Sequence, residues 1–451
     1  MRTTRLSLLI ISLALGLSAT ANAGAAGVSE PFFPRAGNPG INVVHYGVSF
    51  SFDPRRGTIR ANETVTLKAT RRLRRFSLDL QGLQVTSLEM DGGLPSFSRG
   101  RGKLLIRPPE AIPAGELFFV SLWYRGRPAA ITDPDGTREG WLRTDDGAIA
   151  LGEPQGTSTW MACNNVPGDK ATLYVNIVVP RPFVGVSNGR LTRIEEKGER
   201  RRFTWHETKP MSTYLALVDI GRGRLVKSEI AGRPSWTLLD PRLAKGSERV
   251  LAALPEIVRF ESRLFGGYPF DTAGSVVDYA PELGYALETQ TRPFYPYVPD
   301  LTTVVHETAH QWFGDSVGIE RWPEIWLNEG FATWTEWYYA ERHGRRSAQE
   351  IFSRLYRVPA SNEKFWDPPS AHPGTPKHLF GPSVYVRGAM ALQALREKIG
   401  TKPMLRLLRT WTVGHRYGSG TIREFIALAE EVSGRDLDPF FQRWLYRRGK
   451  P

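Results

Sequence analysis

His306, Glu307 and His310 form an H-E-x-x-H segment, and Glu329 follows after eighteen intervening residues in Trp326-Leu327-Asn328-Glu329-Gly330. On an α-helix, residues four apart lie on one face, one turn above the other, so two such imidazoles can grip a single ion. A catalytic Zn²⁺ takes three protein ligands and leaves its fourth position to water. His306, His310 and Glu329, the last from a second helix, complete that set for one zinc per chain. Glu307 points off the histidine line and is placed as a general base toward the water. Glu336 lies two turns beyond Glu329 on the same helical face. It stands either as a hydrogen-bond acceptor that orients a ligand histidine or as an ordinary surface glutamate.

These residues need two helices to hold them. Val304, Val305, Ala309 and Trp312 give the first an apolar face at helical spacing. Pro323 suits the first turn of the next, where Glu329, Ala332, Thr333 and Glu336 recur at helical intervals. Upstream, residues 40–220 read as β-structure. Val48, Phe50 and Phe52 alternate, as do Val65, Leu67 and Ala69, then Phe76, Leu78 and Leu80, with turns such as Asp53-Pro-Arg-Arg-Gly57 between them. That punctuation predicts a β-sandwich or saddle-like sheet. The character changes near residue 222. A strand pair spans Leu225 to Leu239, and a helix from about Ser247 carries Leu251, Leu254, Ile257, Val258 and Phe260 to the stop at Gly266-Gly267. Ser383 is expected to cap a helix bearing Met390, Leu392, Leu395 and Ile399, and Thr421 another bearing Phe425, Ile426 and Leu428. The expected architecture is an N-terminal β domain (31–222) followed by a mostly helical catalytic domain (223–451).

The stretches His306-Glu-Thr-Ala-His-Gln-Trp-Phe-Gly-Asp-Ser-Val317 and Ile325-Trp-Leu-Asn-Glu-Gly-Phe-Ala332 resemble peptidase family M1, the membrane alanyl aminopeptidases among the gluzincin zinc peptidases. The resemblance runs from about residue 40 to the C-terminus. It implies a thermolysin-like second domain and a zinc aminopeptidase acting on peptides with free N-termini. It also implies a minimal member without the further helical domain of longer relatives.

Gly284-Tyr285-Ala286-Leu287-Glu288-Thr289 matches the family's exopeptidase segment, usually Gly-Ala-Met-Glu-Asn. By that match Glu288 binds the substrate's α-ammonium, and a carboxylate fixed relative to the metal selects the first peptide bond. Tyr285 replaces the glycine that normally lets backbone approach the substrate, which leaves the side-chain preference open. The resemblance gives Glu153, in Gly152-Glu-Pro-Gln-Gly156, as a second amine acceptor, with Gln155 as its rival. It gives Tyr385, in Ser383-Val-Tyr-Val-Arg-Gly388, as the neutral phenol that stabilises a developing oxyanion. Asp315 receives no role. Other hydrolases on the same zinc site (endopeptidase, amidase or epoxide hydrolase) and an inactive binding module are the alternatives. A module has no need of His306, Glu307, His310, Glu329 and Tyr385 together.

Composition sets outer bounds. Met-Arg-Thr-Thr-Arg, an apolar run from Leu6 to about Ala19 and Ala21-Asn22-Ala23 read as an export signal cleaved after residue 23. No later stretch approaches membrane-spanning length. The single cysteine, Cys163, permits no intrachain disulfide and reads as packed core. Together these predict a secreted or periplasmic bacterial protein. The net charge of +13 becomes +11 once Arg2 and Arg5 are removed. The basic runs, Arg71-Arg72-Leu-Arg74-Arg75 and Arg200-Arg201-Arg202, are short and not interleaved with aromatics, which argues against nucleic-acid binding. The sequence leaves the oligomeric state open.

Overall fold

The computed structural model describes residues 30–451; the export signal expected at 1–23 lies outside the described residues. The strand-rich half is built on a seven-stranded sheet. Its spatial order is Arg190–Lys197, Arg200–Ser212, Lys170–Pro180, Ile41–Asp53, Thr58–Ala69, Leu117–Gly126 and Gln84–Met90. All neighbours are antiparallel except Ile41–Asp53 with Lys170–Pro180. Alternation drives the burial. In Lys170–Pro180 every second residue is buried, because successive side chains of a strand face opposite sides. A five-stranded sheet (Val184–Ser187, Val218–Gly221, Ala148–Leu151, Arg138–Arg143, Ala130–Thr132) and a three-stranded one (Phe76–Asp79, Lys103–Arg107, Ser96–Gly100) complete this half. Trp141, Trp160 and Trp205 fill its core, and Cys163 is wholly buried there.

Beyond it lies a four-stranded sheet, ordered Arg224–Ile230, Arg233–Leu239, Ala273–Val277 and Phe294–Tyr295. Helices dominate from there. The helix expected from Ser247 is two, α1 (Ala244–Leu251) and α2 (Leu254–Phe265). The apolar periodicity is continuous, but Pro255 sits at the first turn of α2 and has no N–H to carry the ladder through. α3 (Leu301–Ala309) and α4 (Trp326–Arg342) follow, the latter entered through the single turn Trp322–Glu324 that contains Pro323. Thr421 does cap Ile422–Ser433, in a reciprocal capping box with Glu424. Ser383 is not a cap. The chain passes through a wider turn, Ser383–Arg387, straight into the helix Gly388–Ile399, and Ser383 is buried. Among the described residues no helix is long and apolar enough to cross a membrane.

Two buried cations join the halves. The Arg292 guanidinium donates to the carbonyls of Trp236, Ser187 and Gly189 and lies 4.5 Å over the Trp205 ring. Lys170 Nζ donates to three backbone carbonyls, Asp315 at 2.6 Å, Gly418 at 3.0 Å and Ser316 at 3.1 Å. It thereby fastens the loop after α3 to the large sheet. Asp315 is buried beneath that loop with neither carboxylate oxygen hydrogen-bonded.

Candidate active site

α3 begins at Asp300, whose carboxylate accepts from Thr303 N–H at 2.8 Å. Val304, Val305 and Ala309 bury its apolar face, which turns His306, Glu307 and His310 toward one cavity. α4 brings Glu329 to the same point. The Nε2 atoms of His306 and His310 lie 3.0 Å apart, and Glu329 Oε2 lies 3.4 Å and 3.3 Å from them.

Each imidazole is fixed from behind. His306 Nδ1 lies 2.6 Å from Glu336 Oε1, and His310 Nδ1 lies 2.9 Å from the carbonyl of Phe313. Both partners are pure acceptors, so each Nδ1 carries a proton and each Nε2 turns a lone pair inward. Two ring nitrogens and a carboxylate converging on one point suit a metal cation. Donors about 2.0–2.1 Å from a tetrahedral zinc stand roughly 3.3–3.4 Å from one another, which is close to the observed triangle. Glu329 Oε2 has no hydrogen-bond partner of its own, as a metal-facing oxygen should. The donor set and its spacing therefore fit zinc. Glu336, left open between two roles by its spacing, lies within hydrogen-bond distance of His306 Nδ1 and not in open solvent.

Around this triangle stand further carboxylates. Glu307 is buried, and burial first, then Glu288 and Glu329, raise it to about 7 against the opposing histidines. Glu288 is 3% exposed and its Oε1 has no partner. The residue before it, Leu287, is held by a two-way backbone pairing with Phe294. Glu153 Oε1 is likewise unpartnered. Ligand atoms of Glu153, Glu288 and Glu329 all fall within 4.8 Å of one another. Glu153 lines the cavity; Gln155 turns away, donating to Pro154 O. Tyr385 stacks parallel to the His306 ring at 6.0 Å. Burial and the carboxylates of Glu329, Glu153, Glu288 and Glu307 hold its phenol well above the usual range, so it remains a neutral donor.

Several residues that build the site carry no local signal. Glu139 accepts the N–H groups of Gln155 and Gly156 and so shapes the loop that presents Glu153. Gln311, beside His310, donates to Glu288 O at 3.2 Å and accepts from Thr291 N at 2.8 Å, tying the Glu288 segment to α3. Asp135, Thr137 and Phe380 line the cavity beside Tyr285. Only Gln311, next to the motif, could have been suspected from sequence. Asp315 lies with Lys170 and does not line the cavity.

The comparisons with known proteins agree with this geometry. Residues 299–444 match the peptidase family M1 domain, and residues 147–215 the peptidase M1 N-terminal domain. The M1 zinc metallopeptidase of Deinococcus radiodurans superposes with a TM-score of 0.86 at 26% identity, covering 94% of this chain and 97% of that one. This chain belongs to peptidase family M1. A mutant of the same D. radiodurans M1 enzyme bound to a Tyr-Ser-Ala substrate superposes with a TM-score of 0.85, again at 26% identity, over 94% of this chain and 98% of that one. Among M1 relatives known by sequence, the tricorn protease-interacting factor F2 of Thermoplasma acidophilum is 23% identical over 92% of this chain and 54% of its own length. The probable aminopeptidase 2 of Sulfurisphaera tokodaii is 24% identical over 65% of this chain and 40% of its own. The chain thus spans about half the length of these two relatives.

Proposed function

We propose that this M1 chain is a zinc-dependent aminopeptidase that removes the N-terminal residue from peptides. His306, His310 and Glu329 would hold one Zn²⁺. When bound, the ion supplies Lewis-acid polarisation of the scissile carbonyl and lowers the pKa of water at that point. Glu307 takes the proton from the attacking water and passes it to the leaving amine. Tyr385 donates its O–H to the oxyanion as it develops, a contact stronger in the transition state than in the bound substrate. Glu288 and Glu153 receive the α-ammonium, so only the first peptide bond comes into register with the metal. Glu336 and the Phe313 carbonyl keep both imidazoles in the tautomer that ligation needs. The division into 31–222 and 223–451, and export through segment 1–23 to the periplasm or medium, belong to the same reading. Relatives named as aminopeptidases, and a structural neighbour holding a tripeptide substrate, support it.

The observation that carries the reading is the pair of buried, unpartnered carboxylate oxygens of Glu153 and Glu288 beside the ligand triangle. A metal accounts for Glu329 and the histidines; these two need a second positive charge, and a free N-terminus brings one. The test is a panel of aminoacyl fluorogenic substrates and their N-acetylated forms, with and without chelator. Free amines should be cleaved only with metal, and acetylated ones at a rate lower by orders of magnitude. Equal cleavage of both forms, or of internal bonds, would turn the assignment to an endopeptidase or another hydrolase.

A further inference from the structure

The cavity holds more carboxyl groups than a metal, a general base and one α-ammonium account for. It is lined by Asp135 as well as by Glu153, Glu288, Glu307 and Glu329, and no lysine or arginine lines it. Glu329 belongs to the ligand triangle, Glu307 to the proton, and Glu153 with Glu288 to the amine. Asp135 is left over. Its Oδ1 accepts from Thr137 N–H at 2.9 Å and Thr137 Oγ1 at 2.7 Å, which holds the hairpin tip in shape. Its Oδ2 has neither hydrogen bond nor ion pair among the described residues.

Position separates Asp135 from the inner acids. Tyr285 donates its O–H to the Arg138 carbonyl at 2.8 Å, which lays its ring against the strand that follows the hairpin. The carboxylates that act on this phenol are Glu139, Glu153, Asp133 and Asp135. Two of them are committed elsewhere. Glu139 accepts backbone N–H groups of the Glu153 loop, and Asp133 is paired with Glu139. Glu153 and Glu288 each present a buried, unpartnered oxygen, whereas Asp135 is half-buried at the hairpin tip, nearer the mouth of the cavity that all three line. The rings of Tyr285 and Phe380 line the same cavity. An inner pair of acids, an aromatic passage and one uncommitted outer acid describe a receptor for two positive charges separated by an alkyl chain.

We propose that Asp135 is a specificity-determining residue that selects substrates with arginine or lysine at the N-terminus, its carboxylate meeting the side-chain cation while Glu153 and Glu288 meet the α-ammonium. The proposal rests on the aminopeptidase reading above and names its substrate class. Arginine gains further from the two rings, since a guanidinium stacks on aromatic faces and forks onto a carboxylate. The tyrosine that displaces the family's glycine thereby becomes one wall of the side-chain passage.

The test compares coumarin amides of arginine, lysine, leucine and methionine. Leucine and methionine share the apolar stem without the charge. In the wild type, kcat/KM for the two cationic residues should exceed the neutral pair by about fivefold or more, the size expected of a half-buried ion pair. Raising salt should narrow that gap. Asp135→Asn keeps the acceptor for Thr137, so it should lower only the arginine and lysine values, and Asp135→Lys should reverse the preference. L-arginine should inhibit more tightly than its neutral isostere L-citrulline in the wild type and equally in Asp135→Asn. Wild-type values for leucine and methionine equal to those for arginine and lysine overturn the inference and leave the aminopeptidase standing. So does an Asp135→Asn variant that loses all four substrates equally, because that marks a purely structural hairpin. No cleavage of any of the four by zinc-loaded protein overturns the aminopeptidase reading and this inference with it.

Discussion

Zinc affinity should depend on Glu336, a residue that touches only the back of a ligand. The His306 Nδ1–Glu336 Oε1 bond is short, at 2.6 Å, and the carboxylate is half-buried. A charge-assisted hydrogen bond of this kind contributes about 1.5–3 kcal/mol, against about 1 kcal/mol for a neutral one. Glu336→Gln leaves an acceptor in place but removes its charge, so roughly 1–1.5 kcal/mol is lost and zinc binds about tenfold more weakly. Glu336→Ala frees the ring to rotate and to adopt the other tautomer, and the loss rises to about a hundredfold. His310 provides an internal control. Its partner is the backbone carbonyl of Phe313, which neither substitution touches. The assay is competition for zinc against a chromophoric chelator of known affinity, with Glu329→Ala as the benchmark for losing a ligand outright. Kd values for both Glu336 variants within about twofold of wild type would refute the argument and make Glu336 a surface glutamate that happens to lie near the ring.

Three further outcomes follow from the same structure. Tyr385→Phe should lower kcat by about 10²-fold with KM little changed, because its donor acts mainly on the transition state; an unchanged kcat in steady-state assays would assign the ring to packing against His306. Lys170→Met should cost about 3 kcal/mol in urea unfolding, since three buried carbonyls and the Asp315 carboxyl lose their partner, and the double variant with Asp315→Leu should recover part of it. Glu63 is buried with Oε2 accepting from Tyr124 O–H and Ala162 N–H, and burial raises it from 4.5 to about 8. Between those values the unfolded chain has released this proton and the folded chain keeps it, so its contribution falls as pH rises through that window. Glu63→Gln removes the titration, so its stability relative to wild type should rise by a few kcal/mol from about pH 4.5 to about pH 8; a difference independent of pH would refute the assignment.

What could be read from sequence follows the reach of local geometry. His306, Glu307 and His310 were legible because a helix fixes the angle between residues four apart whatever surrounds it. The same rigidity put Glu336 two turns from Glu329, although spacing alone could not say whether it met His306 or water. Thr421 was legible because a capping box is closed within four residues. The misses are of two kinds. Pro255 was in plain view and splits the expected helix into α1 and α2, a local rule outweighed by a continuous apolar stripe. Ser383 failed because the helix it was expected to start is entered through Ser383–Arg387 without a cap. Lys170 with Asp315, Glu139 with the Glu153 loop, and Arg292 with Ser187 had no signal at all. Each joins segments that only the folded chain brings together, and a lysine on an alternating strand looks the same whether it faces water or three carbonyls.

Those non-local pairs explain why a β domain accompanies a site whose proposed metal ligands lie on α4 and on α3 with its C-cap, His310. The two helices alone can assemble His306, His310, Glu329 and Glu336. They supply neither acid of the proposed amine pocket: Glu288 comes from the segment between Ala273–Val277 and Phe294–Tyr295. Glu153 comes from the strand-rich half, on a loop shaped by Glu139, and Asp135 comes from the hairpin before that glutamate. Lys170 and Arg292 fix the register of that half against the loop after α3 and against the segment of Glu288. On the proposed function, the helical part would provide the chemistry and the β part would measure the substrate from the other side. On this division, loosening Lys170 should affect KM for free-amine substrates before it affects zinc content, because it shifts Glu153 against the metal without disturbing α3 and α4. A Lys170 variant that lost zinc and substrate affinity in parallel would show instead that the loop after α3 supports His310 directly through its Phe313 carbonyl, and that the two halves are one mechanical unit.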